Sequence, residues 1–278
     1  MLLSVDHVSL YRYETPVRGV VQSLRLTPSR HDGQRVVQWK VTVDGGTEGA
    51  AFRDGAGDWV QAVTVPGPVA EIEVRVQGAV ETEDLSGVLL RHREVVPPEA
   101  YLRETDATLP DVAIVEIASA AEGAEDRVAA AHALMNAVAD AIAYEPGATH
   151  AATTAAEALK LGKGVCQDHA QVMIAAARVA GIPARYVSGY LFSEAGPDRQ
   201  EAAHAWAELH APGLGWVGFD AANRWCPDDR YVRLGSGLDA ASAAPIRGTS
   251  RLGPADIHRE SLQVSLEVQS VAPESGQQ

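Results

Sequence analysis

Three residues far apart in the chain, Cys166, His204 and Asp220, carry side chains that could together perform acyl transfer. Cys166 stands in GKGVCQDHAQVMIAAARVAGI, residues 162–182, where a glycine-rich loop runs into an apolar stretch. Val172, Met173, Ala176, Val179 and Ala180 recur there at helical spacing. Gly181 is placed to end that helix, and Pro183 stops it continuing. The thiol therefore falls in the first turn of a core helix, where free N–H groups and the helix dipole favour a thiolate. Position alone supplies no base, and a lone cysteine at a helix start is also ordinary core filler. The partners decide between nucleophile and filler.

Those partners lie on AAHAWAELHAPGLGWVGFD, residues 202–220, which reads as a β-hairpin around a Pro-Gly-Leu-Gly turn. Strand alternation puts His204, Trp206, Glu208 and His210 on one face of the first arm. It puts Trp216, Gly218 and Asp220 on one face of the second. Pairing of the arms makes His204 and Asp220 direct or diagonal neighbours, within side-chain reach either way. The set is then nucleophile, base and orienter. Cys166 attacks a carbonyl carbon, His204 pairs with the thiolate and later protonates the leaving amine, and Asp220 holds the imidazole tautomer. Whether water or an amine takes the resulting thioester separates a hydrolase from a transferase, and the three residues do not make that choice.

Other readings of the same residues are weaker. Cys166, His169, His204 and Asp220 could be imagined around zinc, but the second half lacks a ligand pair, so no metal is expected. Asp168 is expected to support the loop or cap the helix. Trp206 and Trp216 are packing residues of which one could wall the acyl site, Arg185 and Tyr186 are structural, and Cys226 is an incidental thiol.

The elements that must position the three follow from pattern. Residues 1–82 hold five or six short strands separated by turn residues such as HDGQ, RDGAGD and PGP, which suggests a small β-sandwich. Pro97, Pro98 and Pro110 mark a boundary. Residues 120–147 carry Val128, Ala131, Leu134, Met135, Val138 and Ile142 on one helical face. Thr154 and Glu157 form a capping box for a short helix, AAEALKL. PARYVSGYLF is a strand, and a polar loop follows at 193–201. After Asp220 one more strand is expected, then a loop-like stretch at 235–256, a closing strand at 261–271 and a frayed tail at 272–278.

The chain has 278 residues and a formal net charge of -14, which argues against nucleic acid and anionic membrane surfaces as partners. No apolar run reaches membrane length, and the start lacks the basic region of a signal peptide. Two cysteines make no disulfide framework. Free thiols in the cytoplasm are the expectation.

The motifs also resemble a known family. Gly164, Cys166 and Asp168 match a Gly-x-Cys-x-Asp element, and His204, Ala205, Trp206 and Glu208 a His-Ala-Trp-x-Glu element. Trp216 and Asp220 match a Gly-Trp-x-x-Asp ending. Together they look like the catalytic core of the bacterial transglutaminase-like superfamily, related to papain-like cysteine proteases. HVSLYRYETPV and RDGAGDWV resemble the β-domain that precedes this core in many bacterial members. Two departures stand out. Asp220-Ala221-Ala222-Asn223 replaces the common Asp-Pro-Thr-Asn, and His169 replaces an aromatic. The resemblance implies an α+β fold, with a β-sandwich over 1–97 followed by a papain-like, transglutaminase-like core over 98–278. In that core a Cys-bearing helix packs on an antiparallel sheet bearing His and Asp. The resemblance implies a catalytic triad of Cys166, His204 and Asp220 and no cofactor or obligatory calcium. It also implies amide chemistry through a thioester on a peptide or protein substrate; hydrolysis is expected slightly ahead of amine transfer because water is always present and the sequence shows no amine site. The alternative is a non-catalytic binding module that keeps the fold.

Overall fold

The computed structural model describes residues 1–193, 203–251 and 260–271. β1 (Leu2–Leu24), β2 (Gln34–Val43), β3 (Thr47–Arg53) and β4 (Trp59–Thr82) build an antiparallel sheet around the long β1–β4 pair. Sequence patterning breaks each of these two strands into separate pieces at proline. The structure runs each through, with register shifts between Arg12 and Gly19 opposite the Pro66–Pro68 region. A proline removes one ladder donor, which an irregularity absorbs without ending the strand. At the same place β4 changes partner, from β3 along its first part to β2 along its last. Leu3, Val5, Val17, Val20 and Leu24 of β1 and Val63, Val65, Ile72, Val74 and Val76 of β4 enter one buried cluster. The amino-terminal core is thus built largely on two long strands, and Tyr190, Val232 and Leu234 from later in the chain complete it.

An irregular segment leads to α1 (Val112–Ala118), a short helix that the apolar run VAIVEIA does not announce by periodicity. Asp111 caps it, accepting from the Ile114 N–H at 2.9 Å. Next come α2 (Arg127–Ala141), β5 (Ala143–Tyr144), α3 (Ala155–Leu161), β6 (Lys163–Gly164) and α4 (Cys166–Val179). The expected capping box opens α3. The Thr154 N–H reaches Glu157 Oε2 at 2.9 Å, and the Glu157 N–H reaches Thr154 Oγ1 at 3.3 Å.

From Asp168 to Arg178 every residue of α4 is buried. The helix lies between α1, α2 and α3 on one side and a second sheet on the other. A helix covered all round needs small side chains, and Ala170, Ala175, Ala176 and Ala177 supply them. Val179 and Ala180, expected on the buried face, are exposed. Arg178 is buried instead, donating to the carbonyls of Tyr101, Ala184 and Leu238 and to Thr108 Oγ1. It ties the segment before α1 to the core helix.

The second sheet is antiparallel, with β7 (Ala184–Leu191), β8 (Ala203–Ala211), β9 (Gly215–Phe219) and β10 (Tyr231–Gly237) in the order β10-β7-β8-β9. Ala205, Ala207, Leu209, Val217 and Phe219 pack against the helices. Tyr190, Val232 and Leu234 join the core of the first sheet. β11 (Ile246–Arg251) and β12 (Glu260–Ser270) then return to the first sheet, and both pair with β1. β11 corrects the loop-like expectation for 235–256. Its residues, IRGTSR, lack an apolar alternation because they form an edge strand with little to bury. The polar loop expected at 193–201 and the tail at 272–278 fall, Ser193 apart, outside the described residues. No helix among the described residues is long and apolar enough to cross a membrane.

Candidate active site

The loop before Cys166 is fixed from three directions. The Glu145 N–H bonds Gly164 O at 2.8 Å and the Ala143 N–H bonds Gly162 O at 2.9 Å, so the β5–β6 pair anchors it. Asp168 turns back over the first turn of α4, and its Oδ2 accepts from the Val165 N–H at 2.8 Å and from Thr149 Oγ1 at 2.6 Å. That carboxylate occupies the space beside Gly164. A Cβ there would lie 2.6 Å from Asp168 Oδ2. The Gly-x-Cys-x-Asp spacing therefore has a steric cause: the glycine admits the aspartate that holds the chain entering the helix. Cys166 follows as the first helical residue, half-buried.

His169, one helical turn on, does not join Cys166 in a ligand set. Its Nδ1 meets Val165 O at 2.9 Å and its Nε2 meets Ile142 O at 3.0 Å, so both ring nitrogens are occupied. The ring ties the start of α4 to the end of α2.

His204 and Asp220 come from the paired strands. His210 faces Trp216 and Ala207 faces Phe219 across β8 and β9. Extending that register sets Asp220 across from Trp206 and diagonal to His204, the second of the two expected arrangements. His204 Nε2 lies 2.6 Å from Asp220 Oδ2. Nδ1 is not used by Asp220, and Cys166 lies near enough to this imidazole to contribute to its raised pKa. The structure thus brings together all three residues singled out in the sequence.

Burial by itself would push His204 down. The Asp220 charge, the hydrogen bond that the ring donates to Asp220 and the proximity of Cys166 outweigh it and raise the imidazole from 6.5 to about 10. Burial likewise opposes ionisation of Asp220, but the His204 charge and hydrogen bonds from His204, Asn223 and Tyr231 hold its carboxyl below the usual range. Two of these donors have no counterpart in the sequence expectation. Tyr231 on β10 donates its O–H to Asp220 Oδ2 at 2.6 Å, and itself accepts from Trp225 Nε1 at 2.5 Å. Asn223 donates from Nδ2 to the same oxygen at 2.7 Å and from its backbone N–H to Oδ1 at 3.2 Å. The Asn223 role is visible in hindsight as a polar residue three places after the aspartate, in a turn. Tyr231 has no such signal, since its strand reaches the site only through the tertiary fold.

Trp206 stacks beside the His204 ring at a centroid distance of 6.4 Å and meets Tyr231 edge-on at 5.4 Å. Trp216 is engaged elsewhere, under the Arg185 guanidinium at 4.0 Å. Glu208, on the same face of β8, accepts from Arg185 Nε at 2.7 Å and from Arg233 Nε at 2.8 Å. Burial would keep Glu208 protonated, but the charges of Arg233 and Arg185 hold it well below the usual carboxylate range.

Comparison with known proteins shows which family the chain resembles along its length. Residues 116–221 match the model of the transglutaminase-like superfamily core, and residues 3–81 match that of the bacterial transglutaminase-like N-terminal region. The chain is 30% identical over 270 residues to an uncharacterized protein of Mycobacterium tuberculosis, with 88% of this chain and 86% of that one covered. A shorter likeness, 37% identical over 86 residues, is to a protein-glutamine gamma-glutamyltransferase of Pseudomonas aeruginosa, covering 29% of this chain and 12% of that one. A solved structure, of a proposed cysteine protease from Cytophaga hutchinsonii, superposes with a TM-score of 0.74 at 20% identity. That superposition covers 99% of this chain and 92% of the other, and it shows a shared fold.

Proposed function

The chain belongs to the transglutaminase-like superfamily, and on that premise we propose that it performs cysteine-dependent amide chemistry on a peptide or protein substrate. The observation that carries the reading is the buried His204 imidazole bonded to the Asp220 carboxylate, with Cys166 near enough to help raise it. Cys166 Sγ attacks the amide carbon as thiolate. The N–H groups of Cys166 and Gln167, which open α4 and have no intrahelical acceptor, are available to the developing oxyanion. His204, protonated at neutral pH, gives its proton to the leaving nitrogen as the C–N bond breaks, and a thioester remains. In hydrolysis, His204 then takes a proton from water as the oxygen bonds to the acyl carbon. Sulfur leaves as thiolate and a carboxylic acid is released. Asp220 keeps the ring oriented through both halves, and Tyr231 and Asn223 act as positioning residues for Asp220.

Hydrolysis is proposed ahead of amine transfer because water needs no second binding site. The test is a peptide library containing glutamine amides, offered with a fluorescent primary amine and followed by mass spectrometry. Acid or shortened peptide products that disappear in Cys166→Ala, without amine incorporation, are expected. Incorporation of the amine turns the reading to transfer, and products that persist in Cys166→Ala overturn it.

A further inference from the structure

We propose that a groove on the amino-terminal unit, away from Cys166 in sequence and built on different elements, binds a small phosphate-bearing ligand. Four guanidiniums, those of Arg30, Arg53, Arg91 and Arg93, line a groove of about 490 Å³ in a chain of net charge -14. Asp32 is the one acidic side chain lining it, and it pairs at 3.5 Å with Arg91. Among the described residues Arg30, Arg53 and Arg93 form no ion pair with any carboxylate. Among the described residues the lining therefore carries four arginines against one carboxylate. The crowding is felt within the groove: burial first, and then the charge of Arg30, hold Arg53 below its usual range.

A second observation points to the same place. The ring of His31, which also lines the groove, has both nitrogens buried with no hydrogen-bond partner among the described residues. His31 lies between this groove and a second cavity lined by Gln34, Trp206, Glu208 and Arg233, so its ring closes the floor of the groove. Burial and then the Arg233 charge push His31 down to about 4, so the ring is neutral at pH 7 and has one N–H to donate.

The walls are preorganised. His92 joins its own segment to the other two that line the groove, with Nε2 2.7 Å from Ala56 O and Nδ1 3.3 Å from Arg30 O. The Asp32 N–H bonds Leu90 O at 3.0 Å, and the Val95 N–H bonds Gly55 O at 2.9 Å. Gly57 has φ +84, and a Cβ on it would fall 2.1 Å from Arg93 O, so only glycine lets the β3–β4 turn close on that strand of the wall. Guanidinium forks recognise phosphate oxygens bidentately. The volume suits a small molecule, and phosphate concentrates several charges in it where an extended acidic peptide spreads one side chain per roughly 3.3 Å.

Calorimetric titration of the full chain with inorganic pyrophosphate at physiological ionic strength tests this. Saturable binding at one site is expected, weakened about tenfold or more in the double variant Arg53→Gln/Arg93→Gln and unchanged in His204→Ala. Both arginines are exposed, and circular dichroism of the double variant checks that it folds. Absence of saturable pyrophosphate binding, or binding that the double variant retains in full, overturns the proposal. Citrate or hexaglutamate binding as tightly as pyrophosphate overturns the assignment to phosphate.

Discussion

At neutral pH His204 keeps a proton deep inside the protein against a burial that would remove it, and the reason is the carboxylate 2.6 Å away. The raised imidazole makes a prediction about stability. A group whose folded pKa exceeds its unfolded value contributes fully below the unfolded value and loses that contribution as pH climbs through the folded one. For His204 the window runs from 6.5 to about 10. Urea denaturation should show the wild-type protein losing stability across it, on the order of a few kcal/mol. Asp220→Asn, which removes the charge that raises the imidazole, should lose far less across the same window. Equal alkaline slopes in the two proteins would show that the Asp220 charge does not hold the proton.

Among the elements, α4 and the β8–β9 hairpin do the positioning, and α4 depends on one tight local arrangement, the Gly164–Asp168 contact. Gly164→Ala would set a Cβ where Asp168 Oδ2 now sits and expel the carboxylate from the Val165 N–H and Thr149. A loss of about 1–3 kcal/mol in thermal or chemical denaturation is expected, together with slower alkylation of Cys166. Unchanged stability and thiol reactivity would show that the spacing has another cause. Much of this was legible in the sequence. Apolar spacing marks α4, the Thr154 box marks α3, and alternation around a Pro-Gly turn marks the hairpin, because each is a local pattern with a local cause. The three candidate catalytic side chains were legible for the same reason. The continuity of β1 and β4 was not, since Pro16 and Pro66 read as breaks until a partner strand supplies a bulge. Tyr231 was not either: it is placed by β10 lying beside β7, and nothing near it in the chain says so.

At the scale of the molecule, the two sheets are joined by a buried chain of charges. Asp58, just before β4, meets Arg233 Nη1 on β10 at 2.8 Å. Arg233 meets Glu208 on β8, and Glu208 meets Arg185 on β7. Arg185 ends on Glu94 at 2.5 Å, in the segment between the sheets. Composition could not reveal this chain, because its members are scattered from 58 to 233 and nothing local says that they meet. Glu208→Ala would leave two arginines buried without their shared partner, and a loss of about 3–5 kcal/mol is expected in denaturant unfolding. A loss below about 1 kcal/mol would mean that the charges add nothing beyond a surface pair. The same network holds the strand that carries His204. The return of β11 and β12 to β1 likewise makes the amino-terminal sheet depend on the end of the described chain.

The central claim is that the Cys166 sulfur and the His204 ring act as one unit. The most direct measurement is the rate of iodoacetamide modification of Cys166 at pH 6, read by peptide mass spectrometry with Cys226 as internal reference. The account predicts that Cys166 reacts faster than Cys226 and that His204→Ala slows it about tenfold or more while leaving Cys226 unchanged. Equal rates at the two cysteines, or a Cys166 rate indifferent to His204, would contradict it.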